Sequence, residues 1–208
     1  MPEAGLRERK KARTRRVIAD AAARLFAEHG FEHVTVDQVA IAADVAKKTV
    51  FNYFPTKEDL VFDRAEVIIA SLADAVAARA PGESLLAAVR RDYAERIAAG
   101  DVTLGVPTLA FARMVGGSHA LTSRRREIAD LAEQALAAEI AAETGGDSPR
   151  QRIVAAQLAA VHRVLFEEGT RRILAGEPYD EIGPALGEAA RAAFDLLEPS
   201  LGGYCVRA

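Results

Sequence analysis

Residues 37–60, DQVAIAADVAKKTVFNYFPTKEDL, contain two short segments of helical spacing that are separated by Ala43-Asp44-Val45. Thr35 is a natural N-cap for the first segment, because its hydroxyl can accept a hydrogen bond from an amide of the first turn. The second segment runs from about Ala46 to Tyr53, and Pro55 stops it. Two helices of this length joined by a tight turn match a helix-turn-helix, whose second helix lies in the major groove of DNA.

The second segment carries side chains that are suited to DNA contact. We expect Val50 and Phe54 to face inward and the polar side chains to face outward. Lysine donors match guanine O6 and N7, an asparagine amide matches adenine, and an aromatic ring can press on a thymine methyl group. The predicted base contacts are Lys47, Lys48, Phe51 and Asn52. Phosphate contacts, which fix register without reading sequence, are expected from Thr35, Tyr53 and Lys57. The predicted DNA-binding set is completed by Gln38 and Thr49.

Charge is distributed unevenly along the chain. The formal net charge is −3, but the residues up to Lys57 carry a net charge of +4, and seven basic residues lie between Leu6 and Val17 against one acid, Glu8. Such a basic arm, residues 7–16, is often a solvated and partly disordered tail. Beside a DNA-binding motif it can instead lie along the phosphate backbone or enter the minor groove. The sequence leaves both interpretations open.

Apolar residues at helical spacing dominate the chain, and no strand-like alternation occurs. A fourth helix is expected to begin at Thr56, because Glu58 and Asp59 suit the positive end of its dipole. The last helix is expected to span about 178–198 and to stop at Pro199. The pattern predicts an all-α fold of about nine helices, in which an N-terminal three-helix domain with the helix-turn-helix joins a larger C-terminal bundle.

The composition also restricts the class of protein. Half of the residues are hydrophobic, so a chain of 208 residues can bury a sizeable core without covalent cross-links. Cys205 is the only cysteine, which excludes an intramolecular disulfide and a cysteine zinc cluster. No stretch of about 18 consecutive apolar residues is present, and the basic N-terminus does not lead into an apolar signal segment. We therefore expect a cytoplasmic protein without a membrane partner.

The stretch AARLFAEHGFEHVTVDQVAIAADVAKKTVFNYFPTKEDLV, residues 22–61, resembles the DNA-binding domain of the tetracycline-repressor (TetR) family of bacterial transcriptional regulators. The features that carry the resemblance are Phe26, Gly30-Phe31, the Thr35 cap, Val39-Ala40, the Thr49-Val50-Phe51-x-Tyr53-Phe54 run and Lys57-Glu58-Asp59-Leu60. The resemblance implies a homodimer that binds a palindromic DNA operator, usually as a repressor. It also implies release of DNA when a small-molecule effector enters the C-terminal domain. On this basis residues 1–57 form the DNA-binding domain, and residues 58–208 form the ligand-binding and dimerisation domain.

Four positions depart from the family pattern. Asp44 stands where glycine is commonest in the turn, and aspartate tolerates a left-handed backbone better than most residues. Ala46 replaces the usual serine cap, a loss of about 1 kcal/mol in helix stability. Lys48 adds a side chain where the family often brings only backbone close to DNA, and Phe51 replaces a frequent tyrosine.

By the same resemblance, the last two helices, within residues 150–198, pair with their copies in a four-helix dimer interface. The pattern alone leaves open that the apolar helix over residues 150–175 is simply the central helix of a monomeric bundle. Candidate effector contacts come from the broken segment 101–118 and its neighbours: Tyr93, Leu104, Phe111, Arg113, Met114, His119, His162 and Phe166. Arg113 would suit an anionic effector if its side chain is buried.

An enzyme is a weaker interpretation of the sequence. His29 and His33 have the spacing of helical metal ligands, but Gly30 lies between them and no HExxH sequence accompanies them. No glycine-rich phosphate loop or nucleophile elbow is present. We expect no catalytic residue, no bound metal and no cofactor. The remaining alternative to a regulator is a helical small-molecule-binding or scaffolding protein without operator recognition.

Overall fold

The computed structural model describes the backbone of residues 2–146 and 148–207 and the side chains of residues 7–146 and 148–207. These residues form nine α-helices and no β-strand, which confirms the predicted all-α fold. Met1 and Ala208, the outer limits of the two predicted domains, lie outside the described residues. Two 3₁₀ turns, Glu58–Leu60 and Val102–Leu104, accompany the helices. The helices are α1 (Pro2–His29), α2 (Val36–Ala42), α3 (Lys47–Tyr53), α4 (Ala65–Ala77), α5 (Leu85–Ala98), α6 (Leu109–Gly116), α7 (His119–Thr144), α8 (Pro149–Leu174) and α9 (Tyr179–Leu201).

The chain divides into two compact units. The first unit comprises the chain up to Ala65 together with Met114–Arg125. The second unit comprises Glu66–Arg113 and the chain from Arg126 onward. The chain therefore passes from one unit to the other three times. The predicted boundary after Lys57 separates two functions. The assignment of DNA binding to residues 1–57, and of ligand binding and dimerisation to residues 58–208, stays a prediction.

A small apolar core holds the first three helices together. Ile18, Ala22 and Phe26 recur on one face of α1 and are buried. Val39 of α2 and Val50 of α3 have no exposed surface. Fully burying an aliphatic or phenyl side chain contributes about 1.5–3 kcal/mol, whereas isolated helices of this length are not stable in water. Packing therefore sets the position of the two short helices.

The turn between α2 and α3 is closed by two backbone hydrogen bonds. The Val45 amide donates to the Ala40 carbonyl oxygen at 3.0 Å, and the Asp44 amide donates to the Ile41 carbonyl oxygen at 3.1 Å. This is the Schellman arrangement, which needs a left-handed residue just after the helix. Asp44 supplies that conformation with φ 52°, as expected for an aspartate in place of glycine. Ala46 is the N-cap of α3 and makes no side-chain capping hydrogen bond, which confirms the prediction.

Met114–Arg125, the separate segment of the first unit, is held by two side-chain contacts. Ser118 Oγ donates to Glu32 Oε1 at 2.6 Å. Arg124 Nη2 lies 2.7 Å from Asp59 Oδ1, and Arg124 Nε donates to the same oxygen at 2.9 Å. The other carboxylate oxygen of Asp59 accepts from the amide and the hydroxyl of Thr56. Both oxygens of this buried carboxylate are thus bonded within the first unit.

The second unit has its own apolar core around α9. This helix packs against both α5 and α8, and it buries Ile182, Leu186 and Phe194. α8 begins with a capping box between Ser148 and Gln151, and a proline follows the cap. No helix in the described part of the chain is long and apolar enough to cross a lipid bilayer.

The basic arm is helical, so its interpretation as a partly disordered tail is wrong. Residues 7–16 belong to α1, which continues without a break to His29. Arginine, lysine and alanine have high helix propensity. The buried stripe that begins at Ile18 anchors the helix on the C-terminal side of the arm, so each added turn extends an existing helix and needs no new nucleus.

The predicted fourth helix does not start at Thr56. The residues after it form the 3₁₀ turn Glu58–Leu60, and α4 starts only at Ala65. Thr56 and Asp59 do make the expected capping interaction. The chain then leaves the helical path before α4, and in this stretch the Asp63 carbonyl oxygen accepts a hydrogen bond from Arg15.

α9 also differs from its predicted boundary, since it passes through Pro199 and ends at Leu201. A proline lacks the amide that a helix interior needs, but one missing bond in the last turn is tolerated when other contacts hold that turn. Here the Gly202 amide donates to the Glu198 carbonyl oxygen at 2.9 Å, and Leu201 is buried.

Candidate nucleic-acid interface

α3 carries the predicted base contacts on its exposed side. Lys47, Lys48 and Asn52 are exposed, and Phe51 keeps 41% of its surface open to solvent. The opposite side of the helix is closed by Val50. The predicted inward and outward directions are therefore confirmed, while contact with DNA stays a prediction.

The two lysines of α3 differ in their surroundings. Lys47 Nζ lies 2.7 Å from Asp37 Oδ2, and the two side chains are 53% and 59% exposed. Asp37 belongs to the first turn of α2. Lys48 makes no hydrogen bond or ion pair with any residue that the structure describes. The sequence did not indicate the ion pair, because 10 positions and a turn separate its members.

Arg15 is half-buried, unlike the other basic residues of the arm, which are exposed along α1. Its guanidinium donates to the Tyr53 carbonyl oxygen at 2.9 Å and to the Asp63 carbonyl oxygen at 3.0 Å, and it lies 4.5 Å from the centre of the Phe54 ring. Tyr53 is the last residue of α3, where a cation is favourable beside the helix carbonyls. Arg15 therefore ties α1 to the end of α3. Sequence reasoning missed this role because Arg15 is one of seven basic residues in a run.

The donors at the edges of the motif are partly used within the protein. Lys57 Nζ lies 4.1 Å from the centre of the Phe31 ring. Thr35 and Gln38 are exposed and form a capping box at the start of α2, in which the Gln38 backbone N–H donates to Thr35 Oγ1 at 3.3 Å. The remaining two predicted contacts, Thr49 and Tyr53, are half-buried. Lys57, Thr35 and Gln38 therefore already make contacts within the protein. A phosphate contact would have to form in addition to these contacts or replace them.

The candidate effector residues are divided between the two units. Met114 and His119 belong to the first unit. Arg113 is exposed, so the burial that an anionic effector would require at this residue is not present. The other members lie in the second unit with Arg113: Tyr93, Leu104, Phe111, His162 and Phe166.

Tyr93 and His162 form an edge-to-face pair, with ring centres 5.2 Å apart and an interplanar angle of 90°. Tyr93 Oη and His162 Nε2 are buried, and neither has a hydrogen-bond partner among the described residues. Burial raises the pKa of Tyr93 to about 12. Burial, together with the nearby charge of Arg96, lowers the pKa of His162 to about 3. Both side chains are therefore neutral at neutral pH and offer uncharged hydrogen-bonding groups.

A cleft of about 300 Å³ in the second unit is lined by charged residues that sequence reasoning missed. Arg79 is buried there, forms an ion pair with Glu143 and donates to the Cys205 carbonyl oxygen at 3.2 Å. Arg207 donates to the carbonyl oxygens of Ala77 and Arg79 at 2.7 and 2.6 Å. The two arginines thus hold the C-terminal residues against the end of α4. The spacing of residues in the sequence does not predict this contact between the C-terminal residues and the end of α4.

Comparison with known proteins gives concordant results. The model for bacterial regulatory proteins of the tetR family matches residues 18–63. The HTH-type transcriptional regulator TcmR of Streptomyces glaucescens is 32% identical over 205 residues, which cover 95% of this chain and 88% of TcmR. A TetR-family regulator from Streptomyces coelicolor has a TM-score of 0.52 at 23% identity, with 88% of this chain and 96% of that chain covered. The complex of SmeT with triclosan has a TM-score of 0.57 at 16% identity, with 94% of each chain covered.

These similarities cover the features described above. The family match spans α1 from Ile18, both helices of the motif and the 3₁₀ turn that follows them. The similarity to TcmR extends through nearly the whole chain, and the two solved structures share its helical fold. This chain therefore belongs to the tetR family of bacterial regulatory proteins and is a DNA-binding transcriptional regulator, not an enzyme.

Proposed function

We propose that the protein is a repressor that binds a palindromic operator as a homodimer and leaves it when a small molecule binds to the second unit. The observation that carries the proposal is the exposed side of α3, where Lys48, Phe51 and Asn52 stand opposite the buried anchor Val50. A short helix whose inner face is packed against the protein can enter the major groove with its hydrogen-bond donors directed at base edges. On this proposal the first unit binds DNA in the cytoplasm, and the second unit binds the effector and dimerises.

Phosphate contacts would come from residues that are already fixed in place. Lys57 is held beside the Phe31 ring, and Thr35 is held by its capping box. Tyr53 ends α3, and its carbonyl oxygen is bonded by Arg15. Fixed donors lose little conformational entropy on binding, so they set the register of α3 on the duplex. The exposed arginines and lysines of α1 would add sequence-independent attraction.

The dimer is supported by apolar side chains that α8 and α9 leave open. Ile153 and Val164 of α8 are more than half exposed, and Leu196 of α9 is 81% exposed. The two helices pack against each other, so these side chains belong to one two-helix layer. A palindromic site needs paired recognition helices, with half-sites about 34 Å or a multiple of it apart. A second copy of the chain is the partner that meets both requirements.

Release by a small molecule is supported by two buried polar atoms, Tyr93 Oη and His162 Nε2. A buried polar atom without a partner costs about 1–3 kcal/mol, and a bound molecule that supplies the partner offsets that cost. SmeT, which shares this helical fold, has been solved in complex with triclosan. We therefore place the effector of this chain in the second unit, beside the two rings.

Selection of bound DNA fragments tests the operator proposal. The purified protein is mixed with sheared DNA from the genome that encodes it, and the retained fragments are sequenced. We expect a few fragments with a shared inverted repeat to be enriched. Equal recovery of all fragments at low ionic strength would contradict the proposal. An enriched fragment placed before a reporter gene then separates a repressor from an activator.

Alanine substitutions separate base contacts from phosphate contacts. Lys48→Ala and Asn52→Ala should each weaken operator binding by about 1–3 kcal/mol, and the loss should be smaller on arbitrary DNA than on the operator. Lys57→Ala should weaken binding to both and reduce the slope of log affinity against log salt by about one. Fluorescence anisotropy over a range of salt concentrations measures all three. Equal losses on operator and arbitrary DNA would show that the roles are misassigned.

A further inference from the structure

The ion pair between Lys47 and Asp37 joins the first residue of α3 to the first turn of α2. Lys47 Nζ lies 2.7 Å from Asp37 Oδ2, which is within hydrogen-bonding distance. Both side chains are more than half exposed. The contact therefore lies on the solvent side of the helix-turn-helix and not in its core.

Lys48 provides a natural comparison within the same turn of α3. It is exposed like Lys47, but it has no counter-ion among the residues that the structure describes. A lysine binds nonspecific DNA by neutralising a phosphate and releasing the cation condensed there. Lys48 is available for that exchange, whereas Lys47 must first leave the carboxylate of Asp37.

The pair leaves Lys47 able to read a base. A lysine ammonium group has three N–H donors, and Asp37 accepts from one of them. The remaining two can donate to guanine O6 and N7 while the pair stays intact. Holding the flexible side chain at Asp37 also reduces the entropy that is lost when the base contact forms. The carboxylate, in contrast, repels any phosphate that approaches Lys47.

We propose that Asp37 is a specificity-determining residue that positions Lys47 for base contact and withholds it from phosphates. This inference rests on the proposed role of α3 in operator binding. Asp37 lowers affinity for arbitrary DNA more than affinity for the operator, because sequence-independent attraction supplies essentially all of nonspecific binding. An exposed pair of this kind changes the nonspecific affinity about two- to five-fold.

The test compares Asp37→Asn, Lys47→Met and the double variant on two probes, a selected operator fragment and a fixed duplex of arbitrary sequence. Asp37→Asn should raise affinity for the arbitrary duplex about two- to five-fold and steepen its salt slope by about one. Lys47→Met should weaken binding to the operator more than binding to the arbitrary duplex. On the arbitrary duplex the double variant should gain less affinity over Lys47→Met than Asp37→Asn gains over the wild type, because no lysine is released in the Lys47→Met background.

Two controls separate positioning from general charge. Asp37→Glu keeps the carboxylate and should keep the wild-type salt slope. Asp44→Asn removes an exposed acid of the same motif, one for which the structure records no lysine partner, and asparagine tolerates the left-handed backbone. It should leave the salt slope unchanged. Thermal unfolding of each variant verifies that the first unit remains folded.

The proposal is overturned if Asp37→Asn leaves the salt slope on arbitrary DNA unchanged. It is equally overturned if Asp37→Asn raises that affinity by the same factor in the Lys47→Met background. The arbitrary duplex reports on the ion pair without any operator. Failure of the proposed function would appear separately, as a wild-type protein that prefers no genomic fragment.

Discussion

Tyr93 Oη and His162 Nε2 show how buried polar atoms can link stability to binding. Neither Tyr93 Oη nor His162 Nε2 has a partner among the described residues, although most buried polar atoms in proteins do. Their pKa values, raised to about 12 for Tyr93 and lowered to about 3 for His162, keep both groups uncharged near neutral pH. An effector that meets them would therefore be recognised by neutral hydrogen bonds rather than by charge.

The lowered pKa of His162 predicts that the protein loses stability as the solution becomes mildly acidic. An unfolded histidine has a pKa of about 6.5. Between about pH 6.5 and the folded-state value of about 3, the unfolded chain binds a proton that the folded chain does not. The free energy of unfolding should therefore fall as pH is lowered below about 6.5, by at most about 1.4 kcal/mol per pH unit.

Urea unfolding at about pH 7.5 and about pH 5.5 measures this effect, since few carboxylates titrate in that interval. His162→Gln should show a smaller loss of stability between the two conditions than the wild type. His33→Gln, at an exposed histidine, should behave as the wild type does. The same pH dependence in His162→Gln and the wild type would refute the assignment.

Some helix boundaries were predictable from local side chains, whereas the predicted start at Thr56 and the predicted stop at Pro199 were wrong. Thr35 caps α2 as expected, and Asp44 adopts the left-handed conformation that the turn needs. The break before α4 was not predictable, because it involves Arg15, 48 positions away from Asp63. The pair of Asp37 and Lys47 likewise exists only after the turn has brought two helices together. The sequence thus predicted which exposed polar residues form the candidate DNA interface. It did not predict which residues of the same protein they contact.

Arg15 should contribute strongly to the stability of the first unit. It donates to two carbonyl oxygens and lies over the Phe54 ring. Hydrogen bonds from charged groups contribute about 1.5–3 kcal/mol each when they are sheltered from water, so Arg15→Met should lower the free energy of unfolding by at least about 1 kcal/mol. Arg16→Met is the matched control, because the Arg16 side chain is 83% exposed and should matter by less than about 0.5 kcal/mol. Chemical denaturation measures the free energy of unfolding of both variants. Equal values for Arg15→Met and Arg16→Met would argue against the role of Arg15 in tying α1 to the end of α3.

Two glycines inside long helices should respond to alanine in opposite ways. An added Cβ at Gly169 of α8 would stand 2.0 Å from the Gly105 carbonyl oxygen, so backbone has to move. Gly169→Ala should destabilise the protein by about 1–3 kcal/mol. At Gly187 of α9 nothing lies within 4 Å of the added atom, and alanine should stabilise the helix by about 0.5–1 kcal/mol. Guanidinium unfolding at one protein concentration measures both, and a loss of stability in both variants would contradict the crowding argument.

Dimerisation through α8 and α9 predicts that one exposed leucine controls the assembly of the whole protein. Leu196→Glu would place a charge in the proposed interface, where burying an unpaired carboxylate is strongly unfavourable. Sedimentation velocity should show a monomer for this variant and a dimer for the wild type, and operator affinity should fall with the loss of paired half-site contacts. Val67→Glu, at an exposed valine of α4, should remain a dimer. A wild-type monomer at all concentrations would refute the dimer.

The inclusion of Met114–Arg125 in the first unit has a practical consequence for protein engineering. A chimera made by splicing residues up to Ala65 onto another regulator would separate Glu32 from Ser118 and Asp59 from Arg124. The transplanted acid at position 59 would then be buried without its guanidinium, a loss of several kcal/mol in such an environment. Exchange of operator preference between relatives therefore requires that both donor segments be grafted together.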